Sequence, residues 1–319
     1  MKNKISIIAG GSGQLGVYLS QYLLKKGFKI IITTRNIKLA KKKIPFKNRN
    51  LTLTTLNVLK KKEIKKLILK YRPEIIFYFA SQSSPKKSFA NRTTTINSNF
   101  VGCKNFLEII QKKKIDCKFV NAVSSEIFSE TKKKINLNSK KKPISPYGKA
   151  KLMSYRETKY FRDKKKVKAY NAIIFNTESF LRKKDFLIPK ICIAAINAYK
   201  FNTKTAFGNL DVSREWNWCE EQVKYLTSFV SNKPQDFILS NGKPYTAKKM
   251  LSFAFKYFKL DYRKFVSYQK NLLRKKDFKL KNSDYISCLK RNKIKRISKI
   301  YGKSLIHALI KHYLNEKKN

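Results

Sequence analysis

Lys4-Ile5-Ser6-Ile7-Ile8-Ala9-Gly10-Gly11-Ser12-Gly13-Gln14-Leu15-Gly16 is the stretch on which the fold turns. Its apolar run is short and ends in glycines, as a buried parallel strand does. Leu15, Leu19, Tyr22 and Leu23 then recur at helical spacing, and Lys25-Lys26-Gly27 closes the segment. The glycines at 10, 13 and 16 therefore occupy a strand-to-helix turn. There they let backbone N–H groups at a helix N-terminus approach a diphosphate. Gly10, Gly13, Gln14, Leu15 and Gly16 are the candidates for holding a dinucleotide; with no ligand the pattern is only a tight turn.

Outward from this turn, strand and helix alternate. Strands are expected at 28–33, 51–56, 74–79, 117–121 and 169–175, with helices at 63–71, 99–113 and 147–161. Such alternation predicts an α/β fold of Rossmann type: a doubly wound parallel sheet covered on both faces. Beyond Phe175 the pattern becomes irregular, as in a smaller C-terminal α/β substrate domain. The expected boundaries are 1–175 for the dinucleotide domain, with 216–235 returning to it, and 176–215 plus 236–319 for the second domain.

Composition removes several alternatives. The chain has 319 residues, 42% hydrophobic with 22 Phe, enough for a sizeable packed core. No apolar run approaches the roughly 18 residues of a membrane span, and the N-terminus lacks a signal peptide, so a cytoplasmic protein is expected. Cys103, Cys117, Cys192, Cys219 and Cys288 are scattered without metal-ligand spacing and read as reduced thiols, so no metal site is expected. His307 and His312 are the only histidines, which excludes histidine catalysis in the body of the fold. The net charge of +55 comes from 74 Lys and Arg against 19 Asp and Glu. Most of it is Lys spread along the whole chain, which reads as solvated surface favouring anionic ligands rather than a specific nucleic-acid partner.

Candidate site residues follow the strand ends. Arg35 lies beyond the second strand, where an adenosine ribose would sit; a cation there favours NADP over NAD. Asn57 and Val58 follow the third strand, either flanking adenine or making an ordinary turn. Tyr147 and Lys151 are four residues apart and share a helical face. A nearby ammonium favours the phenolate, so Tyr147 can accept a hydroxyl proton while hydride leaves carbon. Ser124 after the fifth strand, and Ser145-Pro146 ahead of Tyr147, strengthen that reading.

The order of these motifs resembles the extended short-chain dehydrogenase/reductase family, and within it the GDP-mannose 4,6-dehydratases. The likeness runs through Pro73-Glu74-Ile75-Ile76-Phe77-Tyr78-Phe79-Ala80-Ser81-Gln82-Ser83 and Ser145-Pro146-Tyr147-Gly148-Lys149-Ala150-Lys151. It continues in Phe175-Asn176-Thr177-Glu178-Ser179 and Gly208-Asn209-Leu210-Asp211-Val212-Ser213-Arg214-Glu215-Trp216. The resemblance implies a catalytic set of Ser124, Glu126, Tyr147 and Lys151. Ser124 stands where the family has a threonine on the sugar O4, and Glu126 where it has the carboxylate that takes the C5 proton. It adds Ala80, Ser81, Gln82 and Asn99 to the cofactor side, although Gln82, Ser83 and Asn99 read equally as strand-end caps or a polar network. On the substrate side it implies Ser83, Ser125, Asn176, Glu178, Lys190, Arg214, Arg274 and Asp277. For Glu126 the plain alternative is a carboxylate paired with surplus lysines.

The activity so implied is conversion of GDP-mannose to GDP-4-keto-6-deoxymannose and water through NADP, in a homodimer or homotetramer. The alternative is another epimerase, 4-keto reductase or 4,6-dehydratase of the same fold. Departures from the family bear on base recognition: Thr177 replaces a histidine, and Phe180 and Leu181 replace a proline–arginine pair. Ser129 stands in place of a glycine. The segment between Arg35 and Leu51 is shorter than the family loop through which subunits associate.

Overall fold

The computed structural model describes residues 4–131, 133–273 and 281–316. The chain divides into two compact units. The first comprises Met1–Ser129, Leu137–Ile174 and Val223–Leu239; the second comprises Glu130–Asn136, Phe175–Gln222 and Ser240–Asn319.

The first unit is built on β1 (Ile5–Ala9), β2 (Lys29–Thr34), β3 (Leu51–Thr55), β4 (Ile75–Tyr78), β5 (Lys118–Ser124) and β6 (Ala169–Ile174). A seventh strand, Asp236–Leu239, pairs with β6, and the sheet order is seventh strand, β6, β5, β4, β1, β2, β3. Every pairing is parallel. Helices cover a sheet whose inner strands are apolar throughout: Ile7, Ile8, Ile31, Ile76, Phe77, Phe119 and Val120 are fully buried. The chain crosses from β3 to β4 on the far side of β1, so the strand order reverses beside β1. In doubly wound sheets ligands bind outside the carboxyl ends of strands at that reversal. Gly10, Arg35 and Ser125 each follow directly on the carboxyl end of a strand, and Asn57 and Ala80 lie two residues beyond β3 and β4.

The boundaries differ from expectation in several places: Glu130–Asn136 and Phe175, expected in the first domain, fall in the second unit. The strand 236–239, expected in the second domain, belongs to the first unit because Phe237, Ile238 and Leu239 are buried against β6. Residues 216–222, expected to return to the first domain, lie in the second unit. There Asn217–Trp218 pairs with Thr177–Glu178. The irregular spacing after Phe175 hides a four-residue strand that has no periodicity of its own to announce it.

In the second unit three helices, Leu187–Phe201, Ala247–Lys256 and Gly302–Glu316, enclose an apolar core with Trp216 and Trp218. Short strand pairs complete it: Ser213–Arg214 with Tyr245–Thr246, and Thr205–Phe207 with Val266–Tyr268. Among the described residues no helix is long and apolar enough to cross a membrane.

Candidate active site

The glycines after β1 are not equivalent. Gly10 has φ +74°, and a Cβ there would stand 2.5 Å from the Ala80 backbone. A Cβ on Gly16 would stand within van der Waals radius of Gly11, where helix α1 (Gln14–Lys25) crosses the end of β1. Both glycines are thus demanded by the chain's own packing. Gly13 is not: its φ is −81°, and its Cβ would meet nothing nearer than the Gly10 carbonyl at 3.8 Å. It is exposed and caps α1 with no side-chain hydrogen bond. No acidic residue occupies the first turn of α1, so no carboxylate of the helix itself offsets the positive end of its dipole. This cradle fits a dinucleotide pyrophosphate: the residue without an internal reason to be glycine is the one a phosphate would approach.

Around the cradle, Arg35 is exposed past β2. Asn57 is also exposed, and its groups serve a turn. Its N–H donates to Glu63 (2.9 Å), and its Oδ1 accepts from the Leu59 N–H (3.0 Å). The Val58 carbonyl accepts from Asn105 Nδ2 at 3.0 Å. Beyond β4, Ser81 Oγ donates to Asn99 Oδ1 (2.7 Å), while Asn99 Nδ2 donates to the Gln82 and Thr95 carbonyls. The Gln82 side chain closes on Ser84. Gln82 and Asn99 therefore form a polar network at the strand end. Ser83 is exposed.

The catalytic candidates gather at the end of β5 and the start of the helix Pro146–Lys165. Ser145 caps this helix through the Gly148 N–H (3.0 Å), and Pro146 occupies its first turn. Gly148 lets the helix press on the Glu126 segment: a Cβ there would lie 2.6 Å from the Glu126 carbonyl oxygen. Ser124 Oγ accepts from the Glu126 N–H at 3.2 Å, fixing the turn Ser125–Ile127 in which Glu126 is half-buried. Ser125 is 3% exposed, so its position is interior. Tyr147 is 8% exposed, and Lys151 Nζ lies 6.0 Å from its ring centroid. Lys151 is buried, and its ammonium donates to the Ala122 carbonyl of β5 at 2.6 Å. Burial pushes its pKa down to about 8, with Cys103 opposing the shift.

Sequence reasoning missed the residues that hold this cluster. Ser88 Oγ, fully buried, accepts the Tyr147 N–H at 3.2 Å. Asn121 on β5 donates to Thr158 Oγ1 and Asn171 Oδ1 (both 3.1 Å). Asn171 in turn donates to Asp236 Oδ1, which also receives Arg162. Asn121 and Asn171, polar residues inside the apolar strands β5 and β6, were the available signal; the Ala122 carbonyl offered none.

In the second unit the Asn176 carbonyl accepts from Asn217 through both its N–H and Nδ2. Lys190 Nζ donates to the Ala206 carbonyl (2.6 Å) and lies 4.8 Å from the Phe207 ring centroid. Arg214 is 4% exposed, and its Nη1 donates to the Ser213 carbonyl at 2.8 Å. Glu178 is buried with Arg182 Nε at 3.7 Å, and burial raises its carboxyl to about 7. Thr177 donates to Gln222 Oε1 at 2.6 Å. Phe180 stacks on His312 at 4.4 Å and meets Trp218 edge-on. Arg274 and Asp277 lie outside the described residues. Among the described residues no cluster of three metal-ligating side chains occurs.

The fold is like that of solved nucleotide-sugar epimerases. UDP-glucose 4-epimerase of Thermotoga maritima, solved with UDP-glucose, superposes with TM-score 0.84 at 16% identity, covering 98% of this chain and 99% of that one. UDP-glucose 4-epimerase of Thermus thermophilus, solved with NAD, gives 0.82 at 14% identity, covering 96% and 99%. The chain belongs to the GDP-mannose 4,6 dehydratase family, whose model matches residues 7–294. GDP-mannose 4,6 dehydratase 1 of Arabidopsis thaliana is 27% identical over 287 residues, 85% of this chain and 79% of that protein. GDP-mannose 4,6-dehydratase of Vibrio cholerae is 26% identical over 269 residues, 79% and 71%.

Proposed function

We propose that the chain converts GDP-mannose to GDP-4-keto-6-deoxymannose and water with NADP as resident cofactor. The first unit would hold the cofactor and the second would contribute residues to the nucleotide sugar. The observation that carries the reading is the seating of Glu126. Gly148 lets the first turn of the Tyr147 helix pack on the Glu126 backbone, whose N–H donates to Ser124 Oγ, and this closeness of the three residues supports assigning them to one site. Simple hydride transfer has no use for that acid.

The Gly13 turn would hold the pyrophosphate of the dinucleotide, whose nicotinamide would supply hydride acceptance from C4 and return at C6, so that no external reductant is consumed. Tyr147 takes the O4 proton, and Ser124 hydrogen-bonds the same oxygen. Lys151, cationic below about pH 8, favours the phenolate form of Tyr147. Oxidation at C4 makes the C5 proton acidic. Glu126 removes it and passes it to the departing C6 hydroxyl, which leaves as water and restores the carboxylate. As hydride is returned at C6, C5 takes up one proton, and the O4 proton held by Tyr147 closes the balance. Asn176, Glu178, Lys190 and Arg214 would contact the nucleotide sugar, with the cations facing its diphosphate. Arg35 supports NADP over NAD through the 2′-phosphate. A homodimer or homotetramer is the assembly this reading carries with it.

Incubating purified protein with GDP-mannose and following product mass tests the reading directly. Loss of one water without added reductant is expected; intact GDP-mannose with cofactor bound would reject it. A second reading, epimerisation, is favoured by the likeness to UDP-sugar epimerases at TM-scores above 0.8. Glu126→Gln separates the two. A dehydratase should lose about 10²- to 10⁴-fold in turnover, whereas an epimerase keeps most of its rate.

A further inference from the structure

Glu215 is fully buried, and among the described residues no cation is one of its hydrogen-bond donors. Four neutral donors hold it instead. The Ser283 N–H donates to Oε1 at 2.5 Å. Oε2 receives the Ser283 hydroxyl at 2.6 Å, the Gly242 N–H at 3.1 Å and the Ser240 hydroxyl. Burial pushes this carboxyl up, and the four donors oppose that. A carboxylate gathered by neutral donors from two other chain segments is a strong crosslink, because charge-assisted hydrogen bonds are about twice as strong as neutral ones.

The segments it ties are informative. Glu215 follows Arg214, whose strand pairs with Tyr245–Thr246. The Lys281 N–H donates to the Ser213 carbonyl at 3.2 Å, so the Ser283 segment runs beside that strand. Asn241 Nδ2 donates to the Trp216 carbonyl at 2.8 Å, fastening the other side of Glu215. Arg214 itself is 4% exposed, so small backbone shifts decide where its guanidinium points.

We propose that Glu215 is a positioning residue for diphosphate recognition: its buried carboxylate locks the Ser213–Arg214 strand to the 240–242 and 281–283 segments and thereby aims Arg214. This rests on the nucleotide-sugar reading above and deepens it. Replacing the carboxylate by an amide turns one acceptor into a donor facing other donors, so the crosslink loses more than its charge.

The experiment is calorimetric titration of GDP into wild type, Glu215→Gln, Arg214→Ala and the double variant, with melting curves for each. Weakening of GDP by tenfold or more in Glu215→Gln is expected, with NADP affinity changed less than twofold. The double variant should bind no more than twofold weaker than Arg214→Ala alone, because both act through one guanidinium. Turnover assays should show a raised KM for the nucleotide sugar with kcat within twofold, and Glu215→Asp should recover part of the loss. Unchanged GDP affinity in folded Glu215→Gln overturns the proposal, as do losses that multiply in full. If Glu215→Gln does not fold, Ser283→Ala removes one side-chain donor and must weaken GDP in the same direction, or the proposal is lost. Wild type that binds no GDP overturns it too. Wild type that binds GDP but leaves GDP-mannose intact sinks only the dehydratase reading, and the anchor is then judged on GDP alone.

Discussion

Lys151 in the first unit and Glu178 in the second are both about 2% exposed, yet they are solved differently. The ammonium of Lys151 reaches the Ala122 carbonyl at 2.6 Å and lies beside the Tyr147 ring on its own helix. Glu178 has Arg182 Nε at 3.7 Å, and no hydrogen bond reaches its Oε2. Desolvation drives both toward neutrality, the lysine down to about 8 and the acid up to about 7. The difference is one of assembly. One helix turn brings Lys151 onto a β5 carbonyl within hydrogen-bond reach, whereas Glu178 meets a cation only four residues along the chain that stays 3.7 Å away. The first arrangement is a satisfied contact on rigid elements; the second leaves a buried ion pair under-satisfied.

The largest effect should come from breaking the Lys151 side of this comparison. Lys151→Met is expected to lower kcat about 100-fold by removing the cation that favours the Tyr147 phenolate. In wild type, kcat should fall as pH rises through about 8, where Lys151 loses its proton, and the variant should lack that limb. Stability runs the other way. The unfolded chain holds the lysine proton more tightly than the fold between about pH 8 and 10.5, so wild type gains stability as pH rises across that window. A kcat profile flat to pH 10 would remove Lys151 from the mechanism.

The same contrast decides what could be read from sequence. Parallel strands announce themselves as apolar runs, and a turn at each carboxyl end follows, so Gly10, Arg35, Asn57 and Ser124 fall into place. Tyr147 and Lys151 are legible because helical spacing is a local rule. Glu215 and Ser283 are 68 positions apart, and no periodicity links them. The Asp236–Leu239 strand was missed for a related reason: its partner β6 lies more than sixty residues earlier. Asn57, Gln82 and Asn99 sit at the strand ends where a site was expected, but their polar groups serve turns and the polar network described above, which composition cannot distinguish from ligand contacts.

A smaller effect sharpens the reading of the cradle. Gly13→Ala meets no internal obstacle, so its melting temperature should match wild type or rise slightly, because alanine narrows the unfolded ensemble. Its NADP affinity should nevertheless fall about tenfold, the methyl group standing where a phosphate would approach. Gly10→Ala should do the reverse in the first instance and unfold, given its φ of +74° and the Ala80 backbone at 2.5 Å. Equal cofactor affinity in wild type and Gly13→Ala would mean that the turn is only a turn.

The smallest effect lies at Glu178. Its carboxyl sits near 7 in the fold against an ordinary value near 4.5, so the fold holds a proton that the unfolded chain releases between those limits. The stability this gives is present below about pH 4.5 and is lost as pH rises toward 7. Glu178→Gln cannot titrate, so its melting temperature should gain on wild type across that window and then hold a constant lead of a few degrees. Arg182 limits the gain, because the amide leaves its guanidinium with a weaker partner at 17% exposure. A difference between the two proteins that stays level from pH 4.5 to 8 would show Glu178 ionised throughout, and its ion pair with Arg182 would then be as well satisfied as the Lys151 contact.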